Sequence, residues 1–440
     1  MNKSLYIVAF SLAFATTGIA QNNEGQDKTV DLGTQTTTEL RKTQAVSTIY
    51  SDELDKNATT SPYNAIYGLL PGLTVMQNTS WGTDKSRLNV RGRGSLNGDT
   101  PLFVVDGFAR PIEYINLSEI ESISVLKDGA ATALWGGRGA NGVVLITTKR
   151  GMYSKKEIKV DYKFGLGLPV NQPEFADAYT YAKARNEALR YDGLQPDMDE
   201  ASFLAGGNSD LYPNVDWQKE ALRNHTTSHQ LDITFRGGGK RLRYFSVLNY
   251  KNDMGLLNSK YTDYTDRYNS QMKKYFLNLR MNLDVDITDA TKLKLNMLGM
   301  LRETKRPTTS EATLFEQIFN TPSAAFPVQT QNGLWGSNNV LKTNPIANLA
   351  DVGYYKLNQR MLQADLRLIQ DLSVLTRGLS AELAIAYDNN ATYQETAKKS
   401  FMYQTIEKGT DGEPVYTNYG NPNDELEISN KGLANQPDMG

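Results

Sequence analysis

The stretch YFLNLRMNLDVDI at residues 275–287 decides the fold of most of this chain. Tyr275, Leu277, Leu279, Met281, Leu283, Val285 and Ile287 fall on one side of an extended backbone, while Asn278, Arg280, Asn282, Asp284 and Asp286 fall on the other. Successive side chains of a strand point to opposite faces, so this period of two marks a strand with one apolar and one polar face. Soluble strands run about 5–6 residues. A strand that crosses a membrane at a tilt needs roughly 9–11, and this one is long enough. A β-barrel wall in lipid accounts for that length better than a soluble sandwich does.

Working outward, two-faced segments of the same kind occur at 158–167 (IKVDYKFGLG), 229–238, 241–251 (RLRYFSVLNYK), 291–302 (TKLKLNMLGMLR), 359–370 (RMLQADLRLIQD) and 377–388 (RGLSAELAIAYD). Their connectors alternate in length. Gly237–Gly239, Thr288–Ala290 and Asp371–Leu375 are tight turns, whereas 168–228, 252–273 and 304–358 are long. Short turns on one side and long loops on the other is the layout of an outer-membrane barrel. Within the long loops, Pro173–Tyr191 and Glu311–Asn320 read as short surface helices.

Composition removes several function classes. The 440 residues carry 47 Lys+Arg against 49 Asp+Glu and no cysteine. A net charge of −2 gives no basic footprint for nucleic acid. Without cysteine there is no thiol nucleophile, disulfide or thiolate metal site. His225 and His229 are four apart, but NHTTSHQLDITF leads into a strand and lacks an HExxH pattern, so no metal and no cofactor is expected. No catalytic constellation is evident, and an enzyme is not expected. The 24 tyrosines and 35 glycines suit a two-faced sheet. No later segment has the 18 or so uninterrupted apolar residues of a helical span.

The N-terminal part is organised differently. Residues 1–20 have the positive start, apolar stretch and small-residue end of a removed secretory signal. Residues 21–44 are polar and read as a mobile leader. Residues 45–150 alternate short apolar runs with turns, and Ser61–Leu70 and Asp128–Trp135 have helical character; this describes a compact α/β domain. Its densest signature is EIESISVLKDGAATALWGGRGANGVVLITTKRG (119–151): strand, turn, small helix, glycine turn, strand. The glycines fit neither phosphate-loop pattern and serve turns and close packing. Arg91 and Arg93, beside the PLFVVDG strand (101–107), and Arg138 are expected to be buried and paired with Asp106, Glu121 or wall carboxylates.

Residues 30–303 resemble the SusC/RagA type of TonB-dependent outer-membrane receptors. The resemblance rests on VDLG (30–33), SPYNAIYGLLPGLTV (61–75), LNVRGRGSLNGDTPLFVVDG (88–107), the 119–151 string, and YPNVDWQKEALRN through FSVLNYK (212–251). It implies a transmembrane β-barrel of about 22 strands with an N-terminal α/β plug domain, 45–150 being the plug and 151–440 an incomplete barrel with extracellular loops. It further implies a place in the cell outer membrane and import of a glycan or peptide. TonB, with ExbB/ExbD, would supply energy, and a SusD-like surface lipoprotein would act as a lid. A TonB-contacting segment (TonB box) would fall at Lys28, Thr29, Val30, Asp31, Leu32 and Gly33. Plug structure would rest on Arg91, Arg93, Asp106, Gly107, Glu121, Lys127, Asp128, Arg138, Gly139, Asn141 and Gly142. Seven wall segments are legible by Asp388 and an eighth at Lys399–Ile406, followed by a polar tail, so a fragment of a longer receptor is expected. A surface binding or adhesion protein using the same barrel is the alternative.

Overall fold

The computed structural model describes residues 10–13, 29–33, 36–38, 41–57, 59, 61–77, 86–96, 98–153, 156–170, 172–422, 425–434 and 438–439. Three short strands come first: β1 (Phe10–Ala13), β2 (Thr29–Asp31) and β3 (Thr36–Thr38). The α/β unit follows with β4 (Val46–Tyr50), α1 (Ser51–Leu54), α2 (Pro62–Ala65), β5 (Leu73–Met76), β6 (Arg87–Val90), β7 (Leu102–Val105), β8 (Phe108–Ala109), β9 (Ile120–Leu126), α3 (Gly129–Thr132) and β10 (Val143–Thr148). Its sheet has the order β4-β9-β10-β7-β8, parallel only between β10 and β7, with β5 and β6 as a separate hairpin. Ile49 of β4, Ile120, Ile123 and Val125 of β9 and Val144 and Ile146 of β10 pack with Leu54, Ile66, Ile112 and Leu117 into one core.

Both helices expected in the α/β unit are shorter than their apolar patterns. The first is regular only over α2, because Gly68 and Gly72 turn the chain at φ +72° and +84°. The second splits into α3 and a 3₁₀ segment at Ala133–Gly139, where Gly136 departs to φ 53°, ψ −141°. A positive φ costs glycine nothing, so the turn ends the helix there.

The rest of the chain runs β11 (Lys156–Gly167), α4 (Ala178–Tyr191), α5 (Glu200–Ala205), α6 (Trp217–Ala221), β12 (Thr226–Gly238), β13 (Leu242–Met254), α7 (Ser259–Thr262), β14 (Lys273–Asp286) and β15 (Thr291–Pro307). Then come α8 (Glu311–Asn320), β16 (Trp335–Ser337), α9 (Pro345–Ala350), β17 (Gly353–Asp371), β18 (Ser380–Lys398), β19 (Met402–Lys408), β20 (Pro414–Gly420), β21 (Glu427–Ala434) and β22 (Asp438–Met439). The wall is an antiparallel meander, β11-β12-β13-β14-β15-β17-β18-β21, with β1 on its first edge and β22 also on β18. β15 reaches 17 residues and β17 and β18 reach 19 each.

Burial along these strands is reversed relative to a soluble sheet. On β14, Asn278, Arg280, Asn282 and Asp284 are buried while Leu277 and Leu279 are exposed, Leu279 at 52%. Ile158, Val160, Leu301, Leu362, Leu383 and Ile385 on other wall strands are likewise exposed. The polar face covers the α/β unit and the apolar face looks out, which is stable only if lipid meets the outside.

Three expectations need correction. The eighth segment is not wall: β19 joins β16 and β20 in a small sheet among the long loops, where Phe401 and Tyr403 pack against a core of Trp217, Phe326 and Trp335. The wall continues instead with β21, inside the supposed polar tail, paired to residues 391–398 of β18. That stretch lies beyond the apolar residues of β18, so it needs no apolar face. The leader is not free over residues 29–33 either: Val30 and Leu32 are buried with Val46, Val104, Leu126, Val143 and Leu145. A short β-hairpin with two buried apolar side chains docks on the sheet rather than staying mobile. Of the signal, only β1 lies among the described residues, paired antiparallel with β11.

Candidate functional site

The candidate site is the surface along which the α/β unit meets the wall. The 14-residue β14 and its neighbours turn every second side chain inward, so Asn and Asp at that spacing form a polar lining. Opposite them the α/β unit presents Arg110 after β8, Glu119 before β9, Thr148 at the end of β10, and Lys149 and Arg150 after it.

Arg110 is 4% exposed. Its Nη1 donates to Asp365 Oδ2 at 2.7 Å, while Nε and Nη2 grip both oxygens of Asp388 at 2.9 and 2.8 Å. The guanidinium also lies 5.2 Å over the Phe108 ring. Asn296 donates to the second oxygen of Asp365 at 2.7 Å and accepts from Arg150, which in turn pairs with Asp284. One connected string of side chains thus ties two arginines of the domain to four strands of wall, β14, β15, β17 and β18. A bidentate arginine fixes orientation as well as charge, which lysine at the same place would not.

A second contact is built on Glu119, fully buried, whose Oε2 accepts from Arg280 Nε at 2.6 Å and whose Oε1 accepts from Asn278 at 2.7 Å and the Asn116 N–H at 3.2 Å. Burial raises its carboxyl above the ordinary value, with the Arg280 guanidinium opposing. Further along, Asn282 donates to Thr148 Oγ1 at 2.8 Å and to the Lys149 carbonyl at 2.9 Å, and Asn249 donates to Ser118 Oγ at 2.7 Å. Tyr114, Phe276, Leu298, Met300 and Met361 make the one apolar cluster of this seam among the described residues. The interface is therefore polar and ionic, cohesive while complete and separable where water can replace its bonds.

The arginines singled out from sequence lie elsewhere. Arg91, Arg93 and Arg138 are exposed. Arg93 and Arg87 hold Asp99 at 3.1 and 2.7 Å, and Arg91 sits at φ 57° on the turn after β6. Arg138 lines an open cleft of about 700 Å³ with Arg87, Asp99 and Arg110. The buried pairing falls to Arg110 and Arg280, with the half-buried Arg150 beside them, none of which sequence reading selected. Asp106 bonds Thr148 through N–H at 3.0 Å and hydroxyl at 2.6 Å, and its carbonyl accepts from Arg367 at 3.0 Å. Glu121 is 3.7 Å from Arg236 of the wall.

Lys127 Nζ reaches Ser47 Oγ at 2.6 Å and the Pro71 carbonyl at 3.0 Å; burial, then the nearby Arg91 charge, holds its ammonium below the usual range. Asp128 accepts from Ala45 N–H and Ala131 N–H, each at 2.8 Å, and these bonds hold its carboxyl below the usual value. Asn141 donates to the Gly98 carbonyl at 3.1 Å. A side chain at Gly142 would meet Val90 at 2.8 Å, one at Gly139 would meet Thr132 and Trp135 at 3.1 Å, and one at Gly107 would meet Arg367.

Of the segment 28–33, Lys28 lies outside the described residues. Thr29, Val30 and Asp31 pair with Thr36–Thr38. Asp31 accepts from Gly33 N–H at 2.8 Å and from Thr147 Oγ1 at 3.0 Å. Leu32 is buried beside them, and the Trp135 ring closes over Gly33. His225 is exposed and His229 Nδ1 lies 2.7 Å from the Tyr162 hydroxyl on the wall.

Residues 38–143 match the TonB-dependent Receptor Plug Domain family. The chain carries an N-terminal TonB-dependent receptor plug domain homologous to those of SusC/RagA-type outer-membrane receptors. Members of that family are transporters rather than enzymes and reside in the outer membrane. Among similar proteins, the TonB-dependent receptor P26 of Formosa agariphila is 28% identical over 281 residues, 62% of this chain and 26% of the relative. The TonB-dependent receptor SusC of Bacteroides thetaiotaomicron is 30% identical over 255 residues, 54% of this chain and 24% of the relative. The RagAB peptide importer in its open-open state shares the fold at TM-score 0.67 and 20% identity, over 84% of this chain and 43% of that chain. The match thus spans about a quarter of each of these curated relatives.

Proposed function

We propose that this chain is the plug and first wall strands of an importer that carries a bulky nutrient, an oligosaccharide or a peptide, across the outer membrane. The observation that carries the reading is the seam itself: an apolar outer wall face, a polar inner one, and a plug held there by ion pairs and hydrogen bonds rather than by an apolar core. A domain held that way can be displaced by force and can return. TonB, with ExbB and ExbD, would pull on residues 28–33 once 29–33 peel from the plug sheet, and a SusD-like lipoprotein would cover the long-loop side. The wall as described is an open arc, and strands beyond it would complete a barrel of about 22 strands. The peptide alternative follows the printed name of the RagAB importer, and the oligosaccharide alternative follows the SusC/RagA resemblance.

These 440 residues hold no cysteine, so within them an introduced pair has no competing thiol. In the receptor carrying this chain, S118C with N249C places a disulfide across the seam where the native side chains stand 2.7 Å apart. Oxidised, the variant should bind cargo and fail to import it, with import restored by reductant. Import at the wild-type rate with the bridge closed would refute plug displacement; binding with no energy-dependent uptake in the wild type would favour a surface adhesin.

A further inference from the structure

On its outer face the wall changes character toward the long-loop end. On β15 the outward residues from Leu293 to Leu301 are apolar, a band of roughly 20 Å at the usual strand rise and tilt. Beyond it, Lys273 of β14 stands directly opposite Lys305 of β15, and Lys305 directly opposite Lys356 of β17. All three share the strand face of the exposed Leu277, Leu301 and Leu362. Like charges paired across antiparallel strands are destabilising, so folding alone gives no reason for this row.

Arg360 on the same face of β17 adds a fourth cation, 5.6 Å over the Tyr393 ring. Two wall carboxylates share the region. Glu303 lies 3.1 Å from Lys356, and Glu395, opposite Lys356 on β18, accepts the Tyr354 hydroxyl at 2.6 Å. Among the described residues no carboxylate forms an ion pair with Lys273 or Lys305; the Lys305 ammonium lies 5.2 Å over the Tyr354 ring.

We propose that the row Lys273, Lys305 and Lys356 binds the phosphorylated headgroup of a glycolipid in the outer leaflet. This rests on the reading of the wall as membrane-spanning with its long loops outside. Lys305 lies four residues past Leu301, roughly 10 Å above the apolar band, at the depth of headgroups. Ammonium groups bind phosphate as point charges without demanding one geometry. Tyr275 and Tyr354 on the same face supply the amphipathic rings that favour this depth. The surplus of positive charge at the band's edge and its direction away from the lumen point to lipid rather than to cargo.

The test uses the receptor carrying this chain, in phosphatidylcholine vesicles containing bisphosphorylated lipid A or its dephosphorylated form. Lipid retained through detergent extraction and gel filtration is counted by mass spectrometry. K273Q/K305Q/K356Q should retain roughly tenfold less bisphosphorylated lipid A than wild type, the corresponding Lys→Arg triple should retain it, and neither should change retention of the dephosphorylated lipid. Equal retention by wild type and the Gln triple overturns the site, as does displacement of the lipid by millimolar inorganic phosphate, which would assign the row to a soluble anion. Protease protection of β14 and β15 in the same vesicles reads insertion separately. An unprotected wall overturns the membrane reading and this site with it, whereas a protected wall with equal retention overturns the site alone.

Discussion

Arg110 carries more of the plug's attachment than any residue that sequence reading selected. It satisfies two wall carboxylates at once, and Asp365 is 3% exposed. Arg110→Ala leaves those charges unpaired, and breaking a buried pair from one side costs about 3–5 kcal/mol. The expected outcome is a lowered denaturant midpoint, partly recovered when Asp365→Asn and Asp388→Asn are added; a midpoint unchanged by the single substitution would remove Arg110 from the seam. Asp128 gives a pH-dependent counterpart. Its folded-state carboxyl is depressed by two backbone N–H bonds, so its contribution is present above the ordinary carboxylate value and is lost as pH falls through the lower folded value. Asp128→Ala should cost about 1 kcal/mol as a lost helix cap and should flatten the acid limb of a plug melting curve. An acid limb as steep as that of the wild type would count against this role.

At the scale of elements, wall strands were legible and their inward partners were not. Eleven residues of strict alternation at 277–287, preceded by an inward Phe276, leave only one backbone geometry. β21 stayed hidden because it pairs with β18 beyond the apolar band, where nothing imposes a hydrophobic period. β19 was mistaken for wall because a loop strand packing Phe401 and Tyr403 has the same period of two. Arg110, Glu119 and Arg280 gave no local signal: each pairing spans more than a hundred residues and is fixed only when the domain is seated. The β2–β3 hairpin reads as polar leader because only Val30 and Leu32 are apolar, yet two buried aliphatic side chains contribute about 1.5–3 kcal/mol each. Val30→Asp with Leu32→Asp should therefore release residues 29–33, raising their amide hydrogen exchange to that of an unstructured chain while β9 and β10 stay protected. Unchanged exchange in 29–33 would mean that the hairpin is held by something other than its two apolar residues.

At the scale of the whole molecule, everything depends on which face of the wall meets lipid. The plug's own core folds as soluble domains do, with apolar residues in and the sheet covered. The wall inverts this, burying asparagine and arginine against the plug and exposing leucine. No helix among the described residues is long and apolar enough to cross a membrane. The most direct measurement labels single cysteines at 277, 278, 279, 280, 281 and 282 with a fluorophore, in the receptor reconstituted with brominated lipid. The expected result is strong quenching at 277, 279 and 281 and weak quenching at 278, 280 and 282. Uniform quenching, or the opposite phase, would contradict the membrane wall and the importer built on it.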